Sequence, residues 1–169
     1  MFGNIELATF TVEAILEDYL VKGDLKPRGP FLQYLNDQNW SYIPFNNCEL
    51  AQLDPERKVG AIRPELVSLN KERLAVISVL QVPENAELHL VTTKRPVLFY
   101  VRNFAVRGSL HVSDDVPDED LLDETRDFYG VSDASVYPVV PVATSPTSNV
   151  PLLAINRTLI QGYHIVNDG

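Results

Sequence analysis

Cysteine is nearly absent from this chain: Cys48 stands alone among 169 residues. A single thiol closes no intrachain disulfide and cannot supply a multi-cysteine zinc site. That usage suits a reducing compartment, and we expect a cytoplasmic protein. Long hydrophobic runs are also lacking. No stretch approaches the roughly 18 apolar residues that a membrane-spanning helix needs, so direct membrane insertion is not expected. Glu6 and Glu13 interrupt what would otherwise be the apolar core of a secretory leader.

The motifs of nucleotide and hydrolase chemistry are missing. There is no Walker loop, no Gly-x-Gly-x-x-Gly and no Gly-x-Ser-x-Gly. Histidines are few, namely His89, His111 and His164. Their spacing suits no helical or hairpin metal pair, although His111 and His164 fall on expected strands of one half and could meet. Cys48 has no nearby histidine to activate it, so a buried structural thiol is expected rather than a nucleophile. Glu17 and Asp18 are adjacent on an expected strand and would face opposite ways, which is wrong for a cooperating acid and base. We therefore expect no cofactor, no metal and no enzymatic activity.

Basic charge is scarce. Fourteen Lys and Arg oppose twenty-three Asp and Glu, for a net charge of −9. An acidic chain repels polyphosphate, which disfavours nucleic acid and anionic membranes as general partners. The charge is even: residues 1–88 carry 8 basic and 13 acidic side chains, and residues 89–169 carry 6 and 10. The densest acidic run is Asp114, Asp115, Asp118, Glu119, Asp120, Asp123, Glu124 and Asp127. It lacks the glycine and spacing of a calcium loop and reads as a solvated helix face, or as a docking site for a basic partner.

What the chain does have is self-similarity. Val21-Lys22-Gly23-Asp24-Leu25 resembles Val106-Arg107-Gly108-Ser109-Leu110, displaced by 85 positions. Trp40–Phe45 lines up with Arg126–Val131, and Ser68-Leu69-Asn70-Lys71 with Ala154-Ile155-Asn156-Arg157, each displaced by 86. One inserted residue, in the stretch Lys26–Pro30 set against His111–Pro117, reconciles the three blocks. The alternative is that any two β-rich halves look alike under period-2 patterning. The repeat predicts domains at 1–82 and 88–169, held side by side by the short linker 81–87.

In each half the pattern predicts a first strand (Phe10–Val21, Val97–Val106) and a glycine at a bulge or bend (Gly23, Gly108). A short helix follows (Pro30–Asp37, Pro117–Asp127). Next come an aromatic strand (Trp40–Leu53, Phe128–Val140) and a Pro-punctuated loop (Asp54–Pro64, Pro141–Pro151), the second expected to be exposed and mobile. Two more strands complete the half (Leu66–Leu69 and Leu74–Leu80; Leu152–Ile155 and Leu159–Val166). Asn70 and Asn156 are expected in tight hairpin turns, since Asn tolerates left-handed dihedrals. Trp40, Tyr42, Phe45, Phe128 and Tyr129 could form a base-stacking platform, but alternating aromatics on strands more commonly fill a core.

Leu69-Asn70-Lys71-Glu72-Arg73-Leu74 and Ile155-Asn156-Arg157-Thr158-Leu159-Ile160 resemble the turn between the last two strands of Sm-like domains. Pro44–Leu50 and Gly130–Val136 resemble that family's middle strands. The same layout is similar to an uncharacterised bacterial domain family. The resemblance implies a mainly β fold of two tandem small five-strand-type barrels, each with a short helix. It departs from the family in two ways: no glycine follows Asn70-Lys71 or Asn156-Arg157, and the helix follows the first strand instead of preceding it. The fold therefore carries over further than RNA binding does. The expected function is a non-enzymatic protein-interaction or assembly module that packs on itself or on a protein partner. The alternative is an Sm-like RNA- or oligonucleotide-binding module using Asn70, Lys71, Arg73, Asn156 and Arg157 at the rim.

Overall fold

Segments rich in Val, Ile, Leu and Phe pair edge to edge along nearly the whole chain. A computed structural model describes residues 7–57, 59–122 and 126–167. In chain order the elements are β1 (Phe10–Ile15), β2 (Tyr19–Leu25), α1 (Phe31–Asn36), β3 (Tyr42–Gln52), β4 (Leu66–Asn70) and β5 (Val76–Gln81). They continue with β6 (Lys94–Val101), β7 (Phe104–His111), β8 (Phe128–Pro138), β9 (Asn149–Asn156) and β10 (Ile160–Ile165). Single turns of 3-10 helix occupy Lys71–Arg73, Asp118–Asp120 and Arg157–Leu159.

All ten strands join one antiparallel sheet in the order β10-β6-β7-β8-β9-β5-β1-β2-β3-β4. The sheet does not close on itself, which corrects the expectation of two separate barrels. The reason is local. One edge of β5 pairs with β1, and its other edge pairs with β9, Val76 to Val79 opposite Ile155 to Leu152. The fifth strand of the first half is thus consumed in joining the second. Two apolar clusters result, and each draws on both halves: Ile15, Leu20, Ala75 and Val76 pack with the residues of β6–β9, while Phe128, Leu152 and Ala154 pack with those of β1–β5.

The strand order within residues 10–81 is β5-β1-β2-β3-β4, and within residues 94–165 it is β10-β6-β7-β8-β9. These are the same order. Local detail recurs with it. The β2·β3 ladder slips register between Lys22 and Asp24, and the β7·β8 ladder between Arg107 and Ser109. Gly23 and Gly108 stand inside these two irregularities, as a bulge position favours. Asn47 and Asp133, 86 positions apart, both take a left-handed φ, of 52° and 49°. Asx residues tolerate that region at low cost.

Several expectations are corrected. Phe10–Val21 and Val97–Val106 are not single strands: each contains a hairpin turn, so that Ile15 faces Leu20 and Val101 faces Phe104. Glu17 and Asp18 lie in the first of these turns, off the strands. The helix expected over 30–37 forms, burying Phe31, Tyr34 and Leu35, with Phe31 stacked on Phe10 at 5.1 Å. The helix expected over 117–127 is reduced to the turn Asp118–Asp120, and residues 123–125 lie outside the described residues. Its first residues are stabilised differently: Arg95 donates to Asp118 Oδ1 at 3.1 Å and to the Asp114 carbonyl at 2.9 Å.

The loop expected to be mobile is tethered. The buried carboxylate of Glu13 accepts from the Thr147 backbone N–H at 2.8 Å and from its hydroxyl at 2.7 Å, and Lys22 lies 3.7 Å away. A buried carboxylate needs such donors to offset its lost hydration.

The two bulge glycines are not equally crowded. A Cβ on Gly108 would lie 2.5 Å from Val131 Cγ1 and 3.0 Å from the Ser132 carbonyl, whereas one on Gly23 would meet the Asn46 carbonyl and Cys48 Sγ at 3.1 Å. Gly108→Ala is expected to destabilise by about 2–3 kcal/mol and Gly23→Ala by about 1 kcal/mol, as overpacking at a fixed backbone dictates. Chemical denaturation of the two variants reads the difference directly.

Candidate functional site

The connection from β4 to β5 cannot be a hairpin, because these strands sit at opposite sides of the first half. A single 3-10 turn carries the chain across. Asn70 precedes it with extended backbone, φ −65°, and its Oδ1 accepts from Glu72 N at 3.0 Å. Asn156 repeats this at the β9–β10 connection, with φ −82° and Oδ1 accepting from Thr158 N at 3.1 Å. Both residues act as caps through the side chain, not as left-handed turn residues. The amide's short reach to the N–H two positions ahead is what favours Asn here.

The two turns approach one another because β5 pairs with β9. Between them lies a cleft of about 550 Å³ lined by Trp40, Asn70, Lys71, Arg73, Arg102, Asp127 and Asn156, among others. Four of the five residues singled out from sequence are therefore brought together. The fifth, Arg157, is not on the cleft: its Nε donates to the Arg126 carbonyl at 3.0 Å, a structural role. Arg102 and Asp127 line the cleft without having been foreseen. Arg102 lies unmarked in the β6–β7 hairpin turn, and Asp127, just before β8, was marked only as the last member of the acidic run.

The polar groups of the cleft are largely engaged. Lys71 is only 6% exposed. Its ammonium donates to the Asp37 carbonyl at 2.9 Å and lies 3.9 Å from Asp127. Asn156 is saturated: besides capping, its Nδ2 donates to the Leu74 carbonyl at 2.9 Å, and its backbone N–H reaches the Ala75 carbonyl. Asn70 differs. Among the described residues its Nδ2 donates to nothing. Arg73 is exposed, and Arg102 is 3.8 Å from Glu17.

The aromatics divide. Phe45, Phe128 and Tyr129 are fully buried in the core, while Tyr42 is 56% exposed. Trp40 is half-buried under the Arg28 guanidinium, 4.9 Å from its ring centre. No stacking row of five forms. His111 and His164 do not meet: one lies opposite Lys94 and the other opposite Leu98 on the two sides of β6. His111 is held by the Val91 carbonyl at 2.6 Å and Ser132 Oγ at 2.8 Å, and His164 by Tyr100 at 3.0 Å. Among the described residues no cluster of His, Cys, Asp or Glu could hold a metal. Burial pushes the Cys48 thiol above its usual pKa, and its Sγ donates to the Phe45 carbonyl at 3.2 Å. Among the described residues no helix is long and apolar enough to cross a membrane.

No family model, curated protein or solved structure matches this chain. The site must be read from its own geometry.

The two asparagines should differ in energetic weight. Asn156→Ala removes a cap and strands the buried Leu74 carbonyl, an expected cost of about 2–3 kcal/mol. Asn70→Ala removes only the cap, about 1 kcal/mol. Urea midpoints of the two variants test this, and equal losses would contradict the assignment.

Proposed function

We propose that this chain is a non-enzymatic assembly module, built from two copies of one five-strand unit and acting through strand-to-strand addition. Support for the duplication comes from the shared strand order, the paired bulges at Gly23 and Gly108 and the Asn caps 86 positions apart. The observation that carries the function is the β5·β9 junction. It joins the two units through backbone pairing of β5 with β9, and among the described residues the outer edges of β4 and β10 pair with no strand. An unpaired sheet edge is a template for another strand. The resemblance of each unit to Sm-like domains agrees with this reading.

A second reading, RNA or oligonucleotide binding, is favoured by one feature: Lys71, Arg73 and Arg102 gather at the cleft of an otherwise acidic chain. Against it, Asp127 and Glu72 share the same walls, and Lys71 is already engaged.

Mass determination of the native complex, isolated from its source cell, decides between them. The assembly reading expects a discrete protein-only complex. Co-isolated nucleic acid that is released at high salt would overturn it in favour of the second reading, because phosphate contacts weaken with ionic strength.

A further inference from the structure

We infer that the outward face of the second unit, between Tyr100 and Tyr137, is a docking groove for a proline-rich segment of a partner protein, with prolines three residues apart and no acidic side chain. The inference goes beyond the assembly reading, because it uses a sheet face and no strand edge.

The equivalent face of the first unit is already covered. Across β1, β2 and β3, Ile15, Leu20 and Ala51 stand in one cross-strand row. By the displacements of 85 and 86, the same row in the second unit is Tyr100, Ala105 and Tyr137, across β6, β7 and β8. Ile15 and Leu20 are each 1% exposed, whereas Tyr100 is 40% and Tyr137 48% exposed. Just past the row, Leu53 is 7% exposed and its equivalent, Val139, is 60% exposed. Duplicated positions that differ this much in exposure differ in what lies over them.

Over the first face lies a strap, residues 141–147 of the β8–β9 loop. Val142 packs against the cluster that holds Ile15, Leu20 and Leu53. The Ala143 N–H donates to the Leu53 carbonyl at 2.8 Å, and Thr147 donates to Glu13. These two anchors bracket the Ile15–Leu20 row. The strap contains Pro141 and the buried Pro146, and it has no charged residue. Its counterpart in the first unit, the β3–β4 loop, does not serve the second face. That loop turns back on its own unit, where Ile62 and Leu50 exchange backbone hydrogen bonds at 2.8 and 3.0 Å. The Val139 carbonyl, counterpart of the Leu53 carbonyl, accepts no backbone N–H among the described residues. The open patch is continuous with the covered one, since the exposed Tyr137, Val139 and Val140 run directly into the strap.

The side chains of the open row set the occupant. Tyr100 and Tyr137 stand two strand spacings apart, about 10 Å, with the small Ala105 between them. A polyproline II segment repeats every three residues at about 3.1 Å each, or about 9 Å per turn. Prolines at i and i+3 therefore fall on one side of the segment, at the spacing of the two rings. Such a segment is already stiff, so docking orders little that was free. Tyr100 is held in place: its hydroxyl is 3.0 Å from His164 Nε2, and the two rings are 5.8 Å apart. The position of Glu13, which anchors the strap in the first unit, is Leu98 in the second, so apolar contact replaces the buried carboxylate. The net charge of −9 disfavours an acidic segment.

Titration with a short, uncharged, fluorescein-labelled peptide carrying prolines three apart, read by anisotropy, tests the groove. Saturable binding is expected. Tyr137→Ala should weaken it about tenfold and Tyr137→Phe should leave it nearly unchanged, the worth of one aromatic anchor. Because Tyr137 is exposed, the thermal midpoint of both variants should match that of the parent chain. A peptide of the same composition with its prolines two apart should bind about tenfold more weakly, since its rings no longer meet both tyrosines. Absence of binding at millimolar peptide, or binding indifferent to Tyr137→Ala, overturns the inference. Self-association that disappears in Tyr137→Ala overturns it as well, by placing a second copy on the face. The mass of the native complex tests the assembly reading separately, through sheet edges that Tyr137→Ala leaves intact.

Discussion

The fold depends on one short ladder, four residue pairs of β5 against four of β9. Without it the chain would be two five-strand sheets, each with one face to bury and little to bury it against. Small β units of that size are marginal on their own because too much of their surface stays wet. With it, the apolar residues of each half extend into the other, and the two clusters share the strands that join them. The junction is backed by polar clasps that also cross between halves. Asn36 and the Phe128 backbone exchange hydrogen bonds at 3.0 and 2.7 Å, and Glu13 holds Thr147. Backbone pairing supplies the continuity, and side chains fix the angle at which the halves meet.

The same junction creates the cleft. A turn of 3-10 helix leaves β4 and another leaves β9, and the β5·β9 pairing sets them side by side. The cleft is a consequence of how the units join. Its chemistry agrees: Lys71 and Asn156 spend their hydrogen bonds on Asp37 and Leu74, within the protein.

Much of this was legible from residues alone, and the failures have physical causes. The Asn-basic element was found because a cap needs a specific side chain at a specific step from the turn, which repeats visibly at Asn70 and Asn156. Gly23 and Gly108 were legible because a bulge excludes a Cβ. The hairpin turns after Ile15 and Val101 were missed because Leu16-Glu17-Asp18 and Arg102-Asn103 carry neither glycine nor proline, and Arg102 takes φ 52° without the usual glycine. The single sheet was missed because strand order is a long-range property. Nothing within β5 states that its second edge faces β9. Arg157 was grouped with Lys71 by analogy, but the two turns have different neighbours: Lys71 meets the α1–β3 loop, and Arg157 meets the backbone before β8.

The distribution of charge connects these levels. A net of −9 keeps chains apart in solution, yet none of the formal charge lies on the strands at the ends of the sheet. If the edges were merely tolerated, shortness would be their only protection, since β4 has five residues and β10 six. Shortness is no barrier here, because the internal junction holds with four pairs. The two ends are not alike: β4 carries the exposed Leu66 without charge or proline, whereas Tyr163 of β10 donates to the Asp118 and Glu119 carbonyls, so a turn lies against that strand.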